Sequence, residues 1–300
     1  DGVYFVYSLS VGEPWMMKWR DIAARAVVYG LTVAPTLAIA EAADLSPLAI
    51  AQVNAFFFYA VPLAQFAAVC ALVWRTAPQF LLFPATQYGF SSVFGFGFPS
   101  EILLAPGFFW IAAALLLRDW GEGRRLAAHL AGVSLAIVAV IFTHEMAIPA
   151  ALVLAGYAIW LRAGASGRSA SSVLWLVGVV AAALAACFVV RASGGGAGAN
   201  VNFIYVFDPR RVRNNPTMWL GLALGAALFV AAGGLKREAQ GGLAAKLLDT
   251  KLGLGAALAL CVVAPVLIYL AWPGVDFEKG RYDTARTFVG AGMGVLAVAF

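Results

Sequence analysis

Three carboxylates, Asp1, Glu13 and Glu101, stand at the edges of apolar runs, where a membrane-surface acid can take a proton from a hydroxyl or hold a cation. Asp1 and Glu13 precede the first complete run, and Trp15, Lys18, Trp19, Arg20 and Asp21 come after them. Aromatic and basic residues in that order suit an interfacial helix, which explains the Trp and Lys residues but does not require two acids. Glu101 follows Phe98-Pro99-Ser100, the pattern of a helix start with Ser as cap and an acid in the first turn. Capping alone would account for it. The pair His144-Glu145 falls between two apolar runs, where ionisable groups are costly and mark function. Its competing reading is a solvated hairpin turn in which Thr143 or Glu145 caps the next helix.

Positive groups form a complementary set. Arg210, Arg211 and Arg213 make one cluster and Lys279, Arg281 and Arg286 another, with Tyr282 beside Arg281. The planar guanidinium fork matches phosphate oxygens, whether of a substrate or of an anionic headgroup. Two familiar motifs are excluded. Gly194, Gly196 and Ala199 fit GxGxxG/A but follow an apolar helical run rather than a strand. His144-Glu145 begins like HExxH, yet position 148 is Ile, so the second zinc ligand is missing. Cys70, Cys187 and Cys261 are isolated and read as packing residues. The carboxylates could bind a divalent cation, but no spacing identifies a metal.

The elements that must position these groups are membrane helices. The 300 residues are 63% hydrophobic and only 12% charged, and the mean hydropathy is +0.87. A soluble domain carries about 25% charged residues. Apolar runs at Ile22–Ala40, Leu48–Trp74, Ile102–Leu117, Leu126–Phe142, Met146–Leu161, Val173–Val190, Met218–Leu235 and Leu252–Trp272 approach the ~20 residues that cross a bilayer, and a ninth begins near Phe288. Continuous Ala and Leu runs specify helices, since barrel strands alternate. The expected fold is an all-α polytopic transmembrane helix bundle of about eight to ten membrane helices. Residues 76–101, with Pro78, Pro84, Pro99, three glycines and many phenylalanines, predict a re-entrant or interfacial segment.

Orientation follows from Lys and Arg in the short connections. Arg118, Arg124 and Arg125, then Arg162 and Arg168, then Lys236, Arg237, Lys246 and Lys251 fall on one side, expected to be cytoplasmic. The outer face then collects residues 1–21, an interfacial loop, with 75–101, 143–146, the loop 192–217, and 273–287. The net charge of +5 sits in short clusters between apolar runs, which fits topology signals and lipid-phosphate contacts and excludes a nucleic-acid face. The expected partners are membrane lipids and, in one reading, a larger membrane-protein complex. The chain starts at Asp1 and stops at Phe300 inside an apolar run, so residues 1–300 are expected to be a single transmembrane domain of a longer protein.

An acid followed by aromatics on the first outer loop, Asp1-Gly-Val-Tyr-Phe-Val-Tyr7, together with short alternating loops and Arg-rich outer segments, resembles the GT-C superfamily of polytopic glycosyltransferases. The resemblance implies transfer of a sugar from a polyprenyl-phosphate donor to a lipid, glycan or protein acceptor, in a bacterial inner membrane. It implies Asp1 as base or metal ligand, Arg281-Tyr282 at the donor phosphate, and Glu101 or His144-Glu145 along the acceptor groove. Many members carry two adjacent acids in that loop, whereas Gly2 follows Asp1 here. Two other classes compete. A transporter or flippase would use ionisable or polar groups inside the spans, where Arg25, Gln52, Asn54 and Gln65 lie. A non-catalytic subunit would present apolar faces and no polar cavity.

Overall fold

The computed structural model describes residues 25–85, 87–88, 104–144, 147–163, 170–192, 250–259 and 263. These are helical, with no strand among them. The chain divides into two compact units, Asp1–Leu72 with Phe98–Ile204, and Val73–Gly97 with Tyr205–Phe300.

In the first unit, α1 runs Ala26–Ala43, α2 Pro47–Val73, α3 Ala105–Leu116, α4 Arg124–Ile141, α5 Ile148–Ala163 and α6 Ala170–Ala192. Among the described residues, four helices are long and apolar enough to cross a membrane: α1, α2, α4 and α6. At 27 residues α2 is about 40 Å long, ample for hydrocarbon at a tilt. By contrast α3, at 12 residues, is about 18 Å and would not cross alone. Leu135 and Leu174 are each 71% exposed, and Phe56, Trp160 and Phe188 also point outward. Such apolar surface suits lipid and would be a liability in water. The chain is an integral membrane protein.

Side-chain packing fixes the order of helices. α3 packs most extensively on α4, which also meets α5 and α6, while α5 and α6 pack together. The short connections make α1 and α2, α3 and α4, and α4 and α5 antiparallel. Ser134 on α4 accepts a hydrogen bond from the Trp175 indole of α6 at 3.1 Å. Two helices of the pair α1 and α2 meet through Val33 and Ile50, and Asn54 donates to Thr36 Oγ1 at 3.3 Å. Thr36 in turn donates to the Thr32 carbonyl, and Thr32 to that of Val28. These polar side chains are buried and bonded locally, as apolar surroundings require. A π-helical turn, Tyr29–Val33, interrupts α1 at this point.

The structure corrects several expected boundaries. Glu41 belongs to α1, so the connection to α2 shrinks to residues 44–46, with Asp44 in a left-handed conformation at φ 47°. Arg124 and Arg125 open α4 and Arg162 ends α5, so these cations ride on helices instead of connections. Long cationic side chains reach the headgroup level from a helix end, so the apolar run underestimates the helix. Beyond α2, residues 74–76 turn and Pro78–Leu81 form a 3-10 helix, with Phe80 edge-on to Phe83 at 6.1 Å. The chain therefore breaks where the prolines begin; of the expected re-entrant or interfacial segment 76–101, residue 86 and residues 89–101 lie outside the described residues.

Candidate functional site at the His144 end

The end of the first unit at which α4 gives way to α5 gathers three separate parts of the chain. The Val27 N–H of α1 donates to the Phe142 carbonyl at 3.4 Å. Leu104, at the start of α3, is buried with Val28 of α1 and Phe58 of α2. The Gln65 carboxamide of α2 donates from Nε2 to the Leu104 carbonyl at 3.1 Å. Thus the entry to α1, the entry to α3 and the α4–α5 hairpin share one end.

His144 is half-buried in that hairpin, and its carbonyl accepts the Ala147 N–H at 2.9 Å. Thr143 departs from the expected cap of the next helix. Its hydroxyl donates back to the Ala139 carbonyl at 2.6 Å, closing α4, and it is fully buried, so the hairpin is not a solvated turn at that residue. Gln65 is 5% exposed, and its Oε1 has no hydrogen-bond partner. A buried amide oxygen left unpaired is costly, so this atom is a natural anchor for a donor group. Gly107 admits the carboxamide: a Cβ there would meet Gln65 Cβ at 2.7 Å and the amide group closer still.

Asp1, Glu13, Glu101, Glu145, Arg210, Arg211, Arg213, Arg281 and Tyr282 lie outside the described residues. Of the groups expected to do chemistry, His144 is the one described. The segments bearing Asp1, Glu13 and Glu101 join the described chain at Arg25 and Leu104, at this same end. Among the described residues no group of His, Cys, Asp or Glu could hold a metal ion.

The opposite end holds a cluster that the sequence reading passed over. Trp120, in the connection between α3 and α4, is 9% exposed. Its ring lies 4.6 Å, centroid to centroid, from that of His129 on α4, and the Arg162 guanidinium carbon is 5.2 Å from it. His129 Nε2 and Arg162 Nε are both buried without a hydrogen-bond partner. The residue types carried a signal, since His129 is one of two histidines in the chain. What sequence lacks is the contact between positions 120 and 162. No family model, curated protein or solved structure matches this chain.

Proposed function

We propose that this membrane protein transfers a sugar from a polyprenyl-phosphate-linked donor to a lipid, glycan or protein acceptor at the membrane face bordering the His144 end. The observation that carries this reading is the hydrogen bond of Val27 to Phe142 beside the buried cluster of Val28, Phe58 and Leu104. Three residues of chain, at most about 11 Å, separate Glu101 from Leu104. Glu145 adjoins His144, so two candidate acids are tethered to one end.

The chemistry needs an acid to orient or deprotonate an acceptor hydroxyl, and positive charge to stabilise the departing phosphate. Asp1, Glu13 and Glu101 are the candidates for the first task. Arg210, Arg211, Arg213 and Arg281 with Tyr282 are the candidates for the second, and a divalent cation held by the carboxylates could assist. The bacterial inner membrane is the proposed location, with the His144 end facing outward.

The experiment is transfer by purified protein from a polyprenyl-phosphate sugar to a panel of acceptors. Glu101→Gln or Asp1→Asn is expected to lower the rate by about 10²-fold or more, the usual contribution of a positioned acid or base. Both variants working at the parent rate would remove these acids from the mechanism.

A second reading has its own observation. Asn54 and Gln65 are buried polar side chains within α2, as a substrate path through the membrane would require. A transporter or flippase would move a labelled lipid or solute across proteoliposomes and lose that movement with Gln65→Leu, while catalysing no transfer.

A further inference from the structure

We propose that Trp120, His129 and Arg162 form a binding site for a phosphomonoester group at the membrane surface opposite the His144 end. This inference is independent of sugar transfer.

The site is built by an unusual connection. Gly121 and Gly123 adopt left-handed conformations at φ 62° and 56°, and the Gly121 N–H donates to Asp119 Oδ1 at 3.2 Å. This tight path folds Trp120 inward between α4 and the last turn of α5, leaving Arg118, Asp119, Glu122, Arg124 and Arg125 exposed. The indole then lies 5.2 Å from the Arg162 guanidinium carbon and 4.6 Å from the imidazole centroid. An aromatic ring stabilises the cation and shields it from water.

Two polar atoms in this cluster lack partners. Arg162 Nε is a permanent donor and needs an acceptor, preferably an anion. The His129 ring hydrogen-bonds to the Leu115 backbone through its other nitrogen, so Nε2 is left as an acceptor when the ring is neutral and as a donor when it is protonated. A ligand must therefore accept from Arg162 and satisfy His129 Nε2 in either protonation state. A phosphomonoester does both: P–O⁻ accepts from Arg162, and across its second ionisation near pH 6 the P–OH that donates to a neutral ring gives way to a P–O⁻ that accepts from a protonated one. A carboxylate has no proton to donate, and a phosphodiester has no P–OH. Trp120 and Arg162 sit at helix ends, the level of lipid headgroups, and Arg118, Arg124 and Arg125 supply attraction toward the anion.

The test uses the full chain in neutral detergent. Binding of dioleoyl phosphatidic acid, phosphatidylglycerol and phosphatidylcholine is measured by native mass spectrometry, with inorganic phosphate as competitor. Phosphatidic acid is expected to bind best. Arg162→Gln and His129→Leu should each weaken it about tenfold, the loss of one charge-assisted hydrogen bond. Arg162→Lys, which keeps the charge but not the Nε–H, should fold and still lose most of the binding. Arg125→Gln, on an exposed residue of the same end, should change it by less than about threefold, as for a screened surface charge. Displacement by inorganic phosphate would assign the site to the free anion; resistance to it, with lipid still bound, would assign it to a lipid headgroup. Equal binding of phosphatidylglycerol and phosphatidic acid, unchanged binding by Arg162→Gln and His129→Leu, or an equal loss with Arg125→Gln would overturn the proposal.

Discussion

At the scale of single residues, Gln65 and Gly107 form a matched pair. The carboxamide can reach the Leu104 carbonyl because position 107 has no Cβ. Gly107→Ala would drive a methyl group against Gln65 Cβ, close to the backbone, where the side chain cannot swing clear. It is expected to cost about 1–3 kcal/mol, the range for leaving a buried hydrogen-bonding group unsatisfied. Thermal unfolding in detergent reads this directly. Gln65→Gly in the Gly107→Ala background should recover part of the loss, since it removes the Cβ that the new methyl group meets and the two changes are not additive. A Gly107→Ala protein that unfolds at the parent temperature would mean that α2 and α3 do not meet there. This pairing was hidden in the sequence. Gln65 was visible as a polar residue within an apolar run, but the Leu104 carbonyl it bonds lies 39 positions on, and hydropathy carries no information about such contacts.

At the scale of elements, the helices were largely readable because lipid imposes one requirement on every span. Backbone groups must be bonded internally, so a continuous apolar run becomes a helix. The runs at Leu48–Trp74 and Val173–Val190 correspond closely to α2 and α6. Errors fall where charged residues continue a helix past its apolar stretch, at Glu41, Arg124, Arg125 and Arg162. Hydropathy treats such residues as loops, although Arg and Glu are good helix formers. Trp120 against Arg162 brings the α3–α4 connection and the end of α5 to one membrane surface. The excess of arginine there argues that this surface is cytoplasmic. A single cysteine at Ser169, just before α6, is therefore expected to resist an impermeant maleimide added to intact cells and to react after lysis. Labelling in intact cells would reverse the orientation.

At the scale of the whole molecule, membrane residence was written in composition, whereas the chemistry was not. The paired acids and arginines were recognised by residue type, and residue type does not bring them together in space. Of those candidates only His144 lies among the described residues, and the segments bearing Asp1, Glu13 and Glu101 join the described helices at Arg25 and Leu104. The proposed sugar transfer is assigned to the His144 end, and the surface bearing Trp120 and Arg162 takes no part in it. The most direct measurement is transfer in proteoliposomes sorted by orientation, with a lipid-linked donor in both leaflets and a membrane-impermeant acceptor on the outside only. Orientation is scored independently by labelling a single cysteine at Ser169, at the opposite end, which an impermeant reagent reaches only in vesicles that hold the His144 end inward. Product is expected only from vesicles that display the His144 end outward; product from the opposite orientation, or from neither, would contradict the account.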